Sequence, residues 1–303
     1  MSDDALWAIV RAVPGWETAD LEVEPLEGGI TNRNYVVTDD GERYVLRVPG
    51  KDTELLGIDR ANEYRAATLA AEAGVGPPVV AFLPDTGCFV TRFVGGDHIP
   101  MEDLRRDDVL GLVVRSLRKL HACPPIPSSF PVFRIVEEYR DTAAGRSVAI
   151  PSAYDHAHAL AERIEASFLR APAPLTTCHN DLLNANFLRD GDRVWIVDYE
   201  YAGMGDPFFD LGNLSVNNDL DDAAQGSLLR HMFDDVRDRH RARHDLMRLM
   251  SDFREAMWGV VQQALSTLDV DYVAYADTHF SRLLDNAAAL PMDELLEAAA
   301  APA

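Results

Sequence analysis

The sequence predicts an α+β chain of two lobes, a small antiparallel sheet with one helix followed by a larger, mostly helical part. Three observations carry this. Apolar and polar residues alternate between Leu21 and Val48, the period of half-buried strands. Past Gly95-Gly96 the apolar spacing changes to three and four residues, the period of helices with one buried face. At 303 residues, 47% of them apolar, the chain is long enough to bury the cores of both lobes. The expected division is residues 1–94 and 95–303, with the paired glycines as the hinge.

The elements follow in order. A helix is expected over Ala5 to Val13, then three antiparallel strands broken at Gly28-Gly29 and at Asp39-Asp40-Gly41. A helix over Asp59 to Ala73 ends at Gly74 and Gly76-Pro77-Pro78. Two short strands, Val79 to Phe82 and Cys88 to Phe93, complete the first lobe. In the second lobe helices are expected over Met101 to His121, Ala153 to Leu169, Phe208 to Val216, Leu228 to Leu265 in one or two pieces, and Asp271 to Leu284. The alanine-rich end, Ala298 to Ala303, reads as frayed.

The charge of -22, from 50 acidic against 28 basic residues, argues against nucleic acid and anionic membranes and favours a cationic small molecule. A plainer reading applies to Glu102-Asp103, Asp219 to Asp222 and Asp269 to Asp271, which suit solvated caps and loops. No apolar run approaches the ~18 residues of a membrane span, so a cytoplasmic protein is expected. Cys88, Cys123 and Cys178 are odd in number and far apart, which fits reduced thiols rather than disulfides or a thiolate metal site.

Chemistry concentrates in Cys178-His179-Asn180-Asp181-Leu182-Leu183-Asn184-Ala185-Asn186 and in the apolar run Val194 to Val197 that ends at Asp198. The spacing H-x-D-x-x-x-x-N, followed by an aspartate at a strand end, is that of a phosphoryl-transfer site. Asp181 is placed to orient an attacking hydroxyl, and Asn186 and Asp198 to hold Mg2+ through oxygen ligands. His179 suits a structural part, fixing the loop backbone. Glu200, two residues beyond Asp198, turns to the same side of an extended chain, toward a metal shell or a cationic substrate, or else is a surface glutamate. Asp210 is expected to cap a helix and tie back to the loop, with Asp206-Pro207 as that helix's start.

In the first lobe, Gly28, Gly29, Thr31 and Asn32 lie in a glycine-rich connection whose amides can approach phosphates, although a hairpin turn accounts for it equally. Arg47 puts a charge on an apolar strand and needs an anionic partner. Glu63 on the following helix can supply one, and the pair would present a cation to the α- and β-phosphates. The alternative is an edge arginine reaching to solvent.

Together, Gly28-Gly29-Ile30-Thr31-Asn32-Arg33-Asn34-Tyr35, Arg47, Asn62-Glu63-Tyr64, His179-Asn180-Asp181-Leu182, Asp198-Tyr199-Glu200-Tyr201-Ala202 and Asp210-Leu211-Gly212-Asn213 resemble the choline/ethanolamine kinase branch of the aminoglycoside phosphotransferase and protein-kinase-like superfamily. The resemblance implies a bilobal kinase fold, ATP held by backbone groups of Arg92, Phe93 and Val94, and transfer of a γ-phosphoryl group to an alcohol. It also places Trp258 and Tyr275 around a substrate ammonium group. Helix packing is the other reading of those two aromatics, and Val261 stands where the family often carries a second tryptophan. An aminoglycoside kinase is the runner-up within the same chemistry. A catalytically silent nucleotide-binding regulator is the alternative of another class.

Overall fold

The computed structural model describes residues 2–26, 32–50 and 53–302. Helix α1 (Asp3–Arg11) is followed by β1 (Leu21–Leu26), β2 (Asn32–Asp39) and β3 (Glu42–Pro49), then α2 (Arg60–Glu72), β4 (Val79–Leu83) and β5 (Cys88–Arg92). The five strands form one antiparallel sheet in the order β1-β2-β3-β5-β4. Side chains alternate across it. Val37, Leu46, Val48, Cys88 and Val90 point to one face and pack under Val10 and Val13 next to α1. Arg47 and its cross-strand partner Phe89 belong to the other face, where α2 lies with Ala66, Ala67 and Ala70.

The helical lobe opens with β6 (Asp97–His98), α3 (Met101–Leu104), α4 (Asp107–His121), α5 (Val132–Gly145) and α6 (Ala153–Arg170). Short strands interrupt it: β7 (Thr176–Cys178), β8 (Phe187–Asp190), β9 (Arg193–Ile196) and β10 (Gly203–Gly205). Then come α7 (Pro207–Asn217), α8 (Asp222–Met232), α9 (Asp238–Leu265), α10 (Tyr272–Ala289) and α11 (Met292–Ala299). Between β5 and β6, Gly96 has φ +116, and a Cβ there would lie 2.7 Å from the Arg189 carbonyl oxygen. Only glycine lets the chain enter β6 so close to its partner β8.

Helix starts follow the expected chemistry. Asp59 accepts the N–H groups of Ala61 and Asn62, and Asp206 accepts that of Phe208 with Pro207 in the first turn. Two of the acidic clusters supply caps, since Asp221 and Asp271 accept the N–H groups of Ala224 and Ala274.

The stretch from Leu228 to Leu265, expected in one or two pieces, is two, parted between Met232 and Asp238. Three differences from the sequence reading have local causes. The stretch from Met101 to His121 breaks at Arg105-Arg106 into α3 and α4. Helix α5 was not expected. Its Val132, Ile135 and Val136 are β-branched and weaken local helix preference, so burial decides. The terminus is ordered further than expected, because α11 docks through buried Ala299 and through Ser167, whose hydroxyl donates to the Leu296 carbonyl at 2.5 Å.

Every residue from Leu249 to Gln262 in α9 is buried, so this helix, about 42 Å long at 1.5 Å per residue, is the axis of the second lobe. Helix α7 crosses it closely: a Cβ on Gly212 would lie 2.6 Å from the Met247 carbonyl carbon. Backbone cannot yield as a side-chain tip can. Gly212→Ala is therefore expected to destabilise the fold by about 1–3 kcal/mol, read as a lower midpoint in urea with an unchanged slope. An unchanged midpoint would contradict this packing.

Candidate active site

The loop after β7 is built by side chains that take up its backbone groups. Strand β7 pairs with β10 through Cys178 and Gly203, and the chain then turns at Asn180, whose φ is +67. Asp210 of α7 accepts the N–H of His179 at 2.9 Å and that of Asn180 at 2.7 Å. Its Oδ2 also takes His121 Nε2 at 2.8 Å. Burial opposes a charge on Asp210, but these donors outweigh it and its pKa lies below the ordinary value. Further along, Asn213 Oδ1 accepts Leu182 N–H at 2.6 Å, and Asn218 Nδ2 donates to the Leu182 carbonyl at 2.8 Å.

His179 holds the same loop from inside. Its Nδ1 accepts the Asp181 N–H at 3.3 Å, which leaves Nε2 protonated to donate to the Val197 carbonyl at 3.0 Å. Burial lowers its pKa, in keeping with a neutral ring. His121, Cys178 and Asp210 also bring ligand atoms within 4.8 Å of one another, but Asp210 is already filled by N–H donors.

These bonds assemble Asp181, Asn186 and Asp198. Asn186 Nδ2 donates to the Asp181 carbonyl at 2.8 Å, and Val197 N–H donates to the Asn186 carbonyl at 3.0 Å. The Asn186 Oδ1 takes no part in these bonds, and Asp198 follows directly on the Val197 that Asn186 binds. Oxygen donors of this kind suit Mg2+. Asp198 has φ +68, a conformation open to aspartate more readily than to larger residues.

Opposite stands Arg47. Its Nη1 lies 2.5 Å from Glu63 Oε1 and 2.5 Å from Asp198 Oδ1. Glu63 is fully buried and is bound a second time, by Arg60 Nη1 at 2.6 Å. Burial works against the charge on Arg47, yet the two carboxylates hold its pKa above the ordinary value. Burial likewise opposes the charge on Asp198, but Arg47 keeps its pKa low. Glu200 is buried rather than on the surface: its Oε2 accepts Asn32 Nδ2 at 2.8 Å and lies 3.4 Å from Arg60 Nη1.

Gly28, Gly29 and Thr31 lie outside the described residues, and Asn32 opens β2. At the end of β5, Arg92 N–H donates to the Pro78 carbonyl and Phe93 N–H to the Arg43 carbonyl of β3. Of the three residues expected to bind nucleotide through their backbone, this leaves the amide of Val94 outside those two bonds.

A family model described as the phosphotransferase enzyme family matches residues 22–246. A crystal structure of a choline/ethanolamine kinase family protein from Mesorhizobium loti is 33% identical, with a TM-score of 0.85 and coverage of 99% of both chains. The chain belongs to the choline/ethanolamine kinase branch of the phosphotransferase enzyme family. Ethanolamine kinase 2 of Mus musculus is 27% identical over 317 residues, covering 92% of this chain and 81% of the relative. The choline kinase LicA from Streptococcus pneumoniae, at 20% identity, shares the fold with a TM-score of 0.78 over 95% of this chain and 99% of its own.

Within this kinase-family chain, several residues at the site were not foreseen. Arg254 and Glu255 of α9 approach Asp181, and Arg60, His121, Asn213 and Asn218 support it. A signal existed for the first pair: Asp252, Arg254 and Glu255 are charges within an otherwise apolar helical stretch, which only mutual pairing or a site can accommodate.

Burial raises the Asp181 carboxyl to about 8, Arg254 opposing and Glu255 reinforcing the shift. Below pH 3.8 the folded and unfolded chains both hold this proton; between there and about 8 only the folded chain does, so stability falls as pH rises through that window. Asparagine mimics the protonated acid. Asp181→Asn is expected to raise the melting temperature of the unliganded protein by several degrees at pH 8.5 and much less at pH 5, followed by circular dichroism. A larger gain at pH 5 would contradict the assigned burial.

Proposed function

We propose that this chain is an ATP- and Mg2+-dependent kinase that transfers the γ-phosphoryl group to the hydroxyl of a small cationic amino alcohol, choline or ethanolamine. One observation carries the reading: Asn186 is hydrogen-bonded to the Asp181 carbonyl and to the Val197 N–H next to Asp198, and Asp198 faces a guanidinium, Arg47, that Glu63 also holds.

In this reading the acceptor hydroxyl oxygen attacks the γ-phosphorus as the bond to the β-phosphate oxygen breaks, leaving ADP. Asp181 accepts the hydroxyl proton, which requires its ionised form. Asn186 Oδ1 and the Asp198 carboxylate would hold Mg2+. When bound, the ion offsets the negative charge on the phosphates. Arg47, steadied by Glu63, turns its charge toward the α- and β-phosphates, and the backbone of Val94 takes the base of the nucleotide. The phosphate-approaching residues include Gly28, Gly29 and Thr31. His179 and Asp210 hold the loop and take no part in proton transfer. Glu200 links Asn32 of the first lobe to the strand-end segment, so its effect on substrate is through position. The lobes divide at Gly95-Gly96, and the enzyme works in the cytoplasm, where ATP is available.

ADP release measured against a panel of alcohols tests this. Activity is expected with choline or ethanolamine and not with aminoglycosides. Asp181→Asn is expected to lower kcat by about 100- to 10,000-fold while the protein stays folded, and Asp198→Asn to abolish turnover at any Mg2+ concentration. Retained turnover in Asp181→Asn would refute the assigned base.

A further inference from the structure

Arg254 places a charge beside Asp181 where an acceptor's own cation would be expected. The residue is 1% exposed. Its Nη1 lies 2.6 Å from Glu255 Oε1 and 3.6 Å from Asp181 Oδ1, and its guanidinium carbon stands 4.4 Å from the centre of the Tyr201 ring. Its Nε and Nη2 are buried with no hydrogen-bond partner among the described residues. An aromatic face combined with a carboxylate is the pairing that attracts a quaternary ammonium ligand. Here the protein fills that pairing with its own guanidinium.

The neighbouring aromatics are closed in the same way. Trp258 Nε1–H donates to the Tyr201 hydroxyl at 3.0 Å, and the Tyr275 hydroxyl donates to Glu255 Oε2 at 2.8 Å. The rings of Trp258 and Tyr275 meet edge to face, 5.7 Å apart and inclined at 64°. They pack against each other instead of standing as two open walls. Both Glu255 oxygens are engaged, by Arg254 and Tyr275.

Resting on the reading that Asp181 serves the hydroxyl of an amino alcohol, we propose that Arg254 is a specificity-determining residue that occupies the aromatic face and carboxylate a trimethylammonium group would need, so that the acceptor carries a primary ammonium. The two cations have different requirements. A trimethylammonium group has no N–H and is held by aromatic faces and diffuse charge. A primary ammonium is compact and donates three hydrogen bonds, which carboxylate and hydroxyl oxygens can accept. The oxygens around Arg254, on Asp181, Glu255, Tyr201 and Tyr275, each have two lone pairs and so keep acceptor capacity beyond the one bond that engages them, whereas the Tyr201 face is covered.

The test compares kcat/KM for ethanolamine, its N,N-dimethyl derivative and choline in the wild type and in Arg254→Met, which keeps the length of the side chain without its charge. The wild type is expected to favour ethanolamine over choline by about tenfold or more, with the dimethyl compound between. Arg254→Met bares Tyr201 and frees Glu255, and is expected to shrink that ratio mainly through a lower KM for choline. Equal losses on all three alcohols would mark Arg254 as merely structural and overturn the proposal. So would a wild type that uses choline as well as ethanolamine, which would leave the kinase reading standing. ADP release with none of the alcohols would overturn the kinase reading and the inference with it. Should the variant not fold, inhibition of the wild type by methylammonium and tetramethylammonium decides: stronger inhibition by methylammonium supports the proposal, and stronger inhibition by tetramethylammonium overturns it.

Discussion

One buried guanidinium links the sheet to the chemistry. Arg47 Nη1 contacts Glu63 of α2 and Asp198 just past β9, so β3, the helix behind it and the strand-end segment of the second lobe meet at a single nitrogen. Removing a cation from water in this way is unfavourable unless its partners are close. Both carboxylates lie at hydrogen-bond distance. Truncating one member of such a cluster leaves an uncompensated buried charge, which explains why the network extends outward to Arg60, Glu200 and Asn32 rather than ending at a pair.

The same principle organises the other side of the site. The chain as a whole carries -22, yet arginines stand where its acids are buried. Arg47 holds Asp198 ionised, whereas Asp181, with Arg254 farther away and Glu255 nearby, is held toward its protonated form by burial. Two aspartates close together therefore differ in proton affinity, the arrangement expected where one is to hold a metal ion and the other to exchange a proton. Between them the backbone of the loop is fixed by Asp210, Asn213 and Asn218 from α7 and the turn after it, and α7 itself is seated closely on α9 at Gly212.

Much of this was legible in the sequence because it depends on short-range spacing. The distances along the chain from His179 to Asp181 and Asn186, the apolar run ending at Asp198, and the strand alternation around Arg47 all report local geometry. The five-stranded sheet and α2 followed from the same periodicities. What was illegible depends on contacts between distant segments. Nothing near Asp181 in sequence announces Arg254, because α9 brings it in from far along the chain. Glu200 could be placed on a side of the extended chain but not against Asn32, and the hydrogen bonds from Trp258 to Tyr201 and from Tyr275 to Glu255 join separate segments that sequence spacing does not connect. Helix α5 was hidden for another reason: its β-branched residues favour an extended chain locally, and only burial against the core overrides them.

A nitrogen shared between Glu63 and Asp198 requires Arg47 and Asp198 to be energetically coupled. A double-mutant cycle with Arg47→Met and Asp198→Asn, read by urea unfolding of the unliganded protein, measures that coupling directly. An interaction energy of about 1–3 kcal/mol is expected, with the double variant more stable than the sum of the single losses allows. Losses that add to within about 0.5 kcal/mol would contradict it.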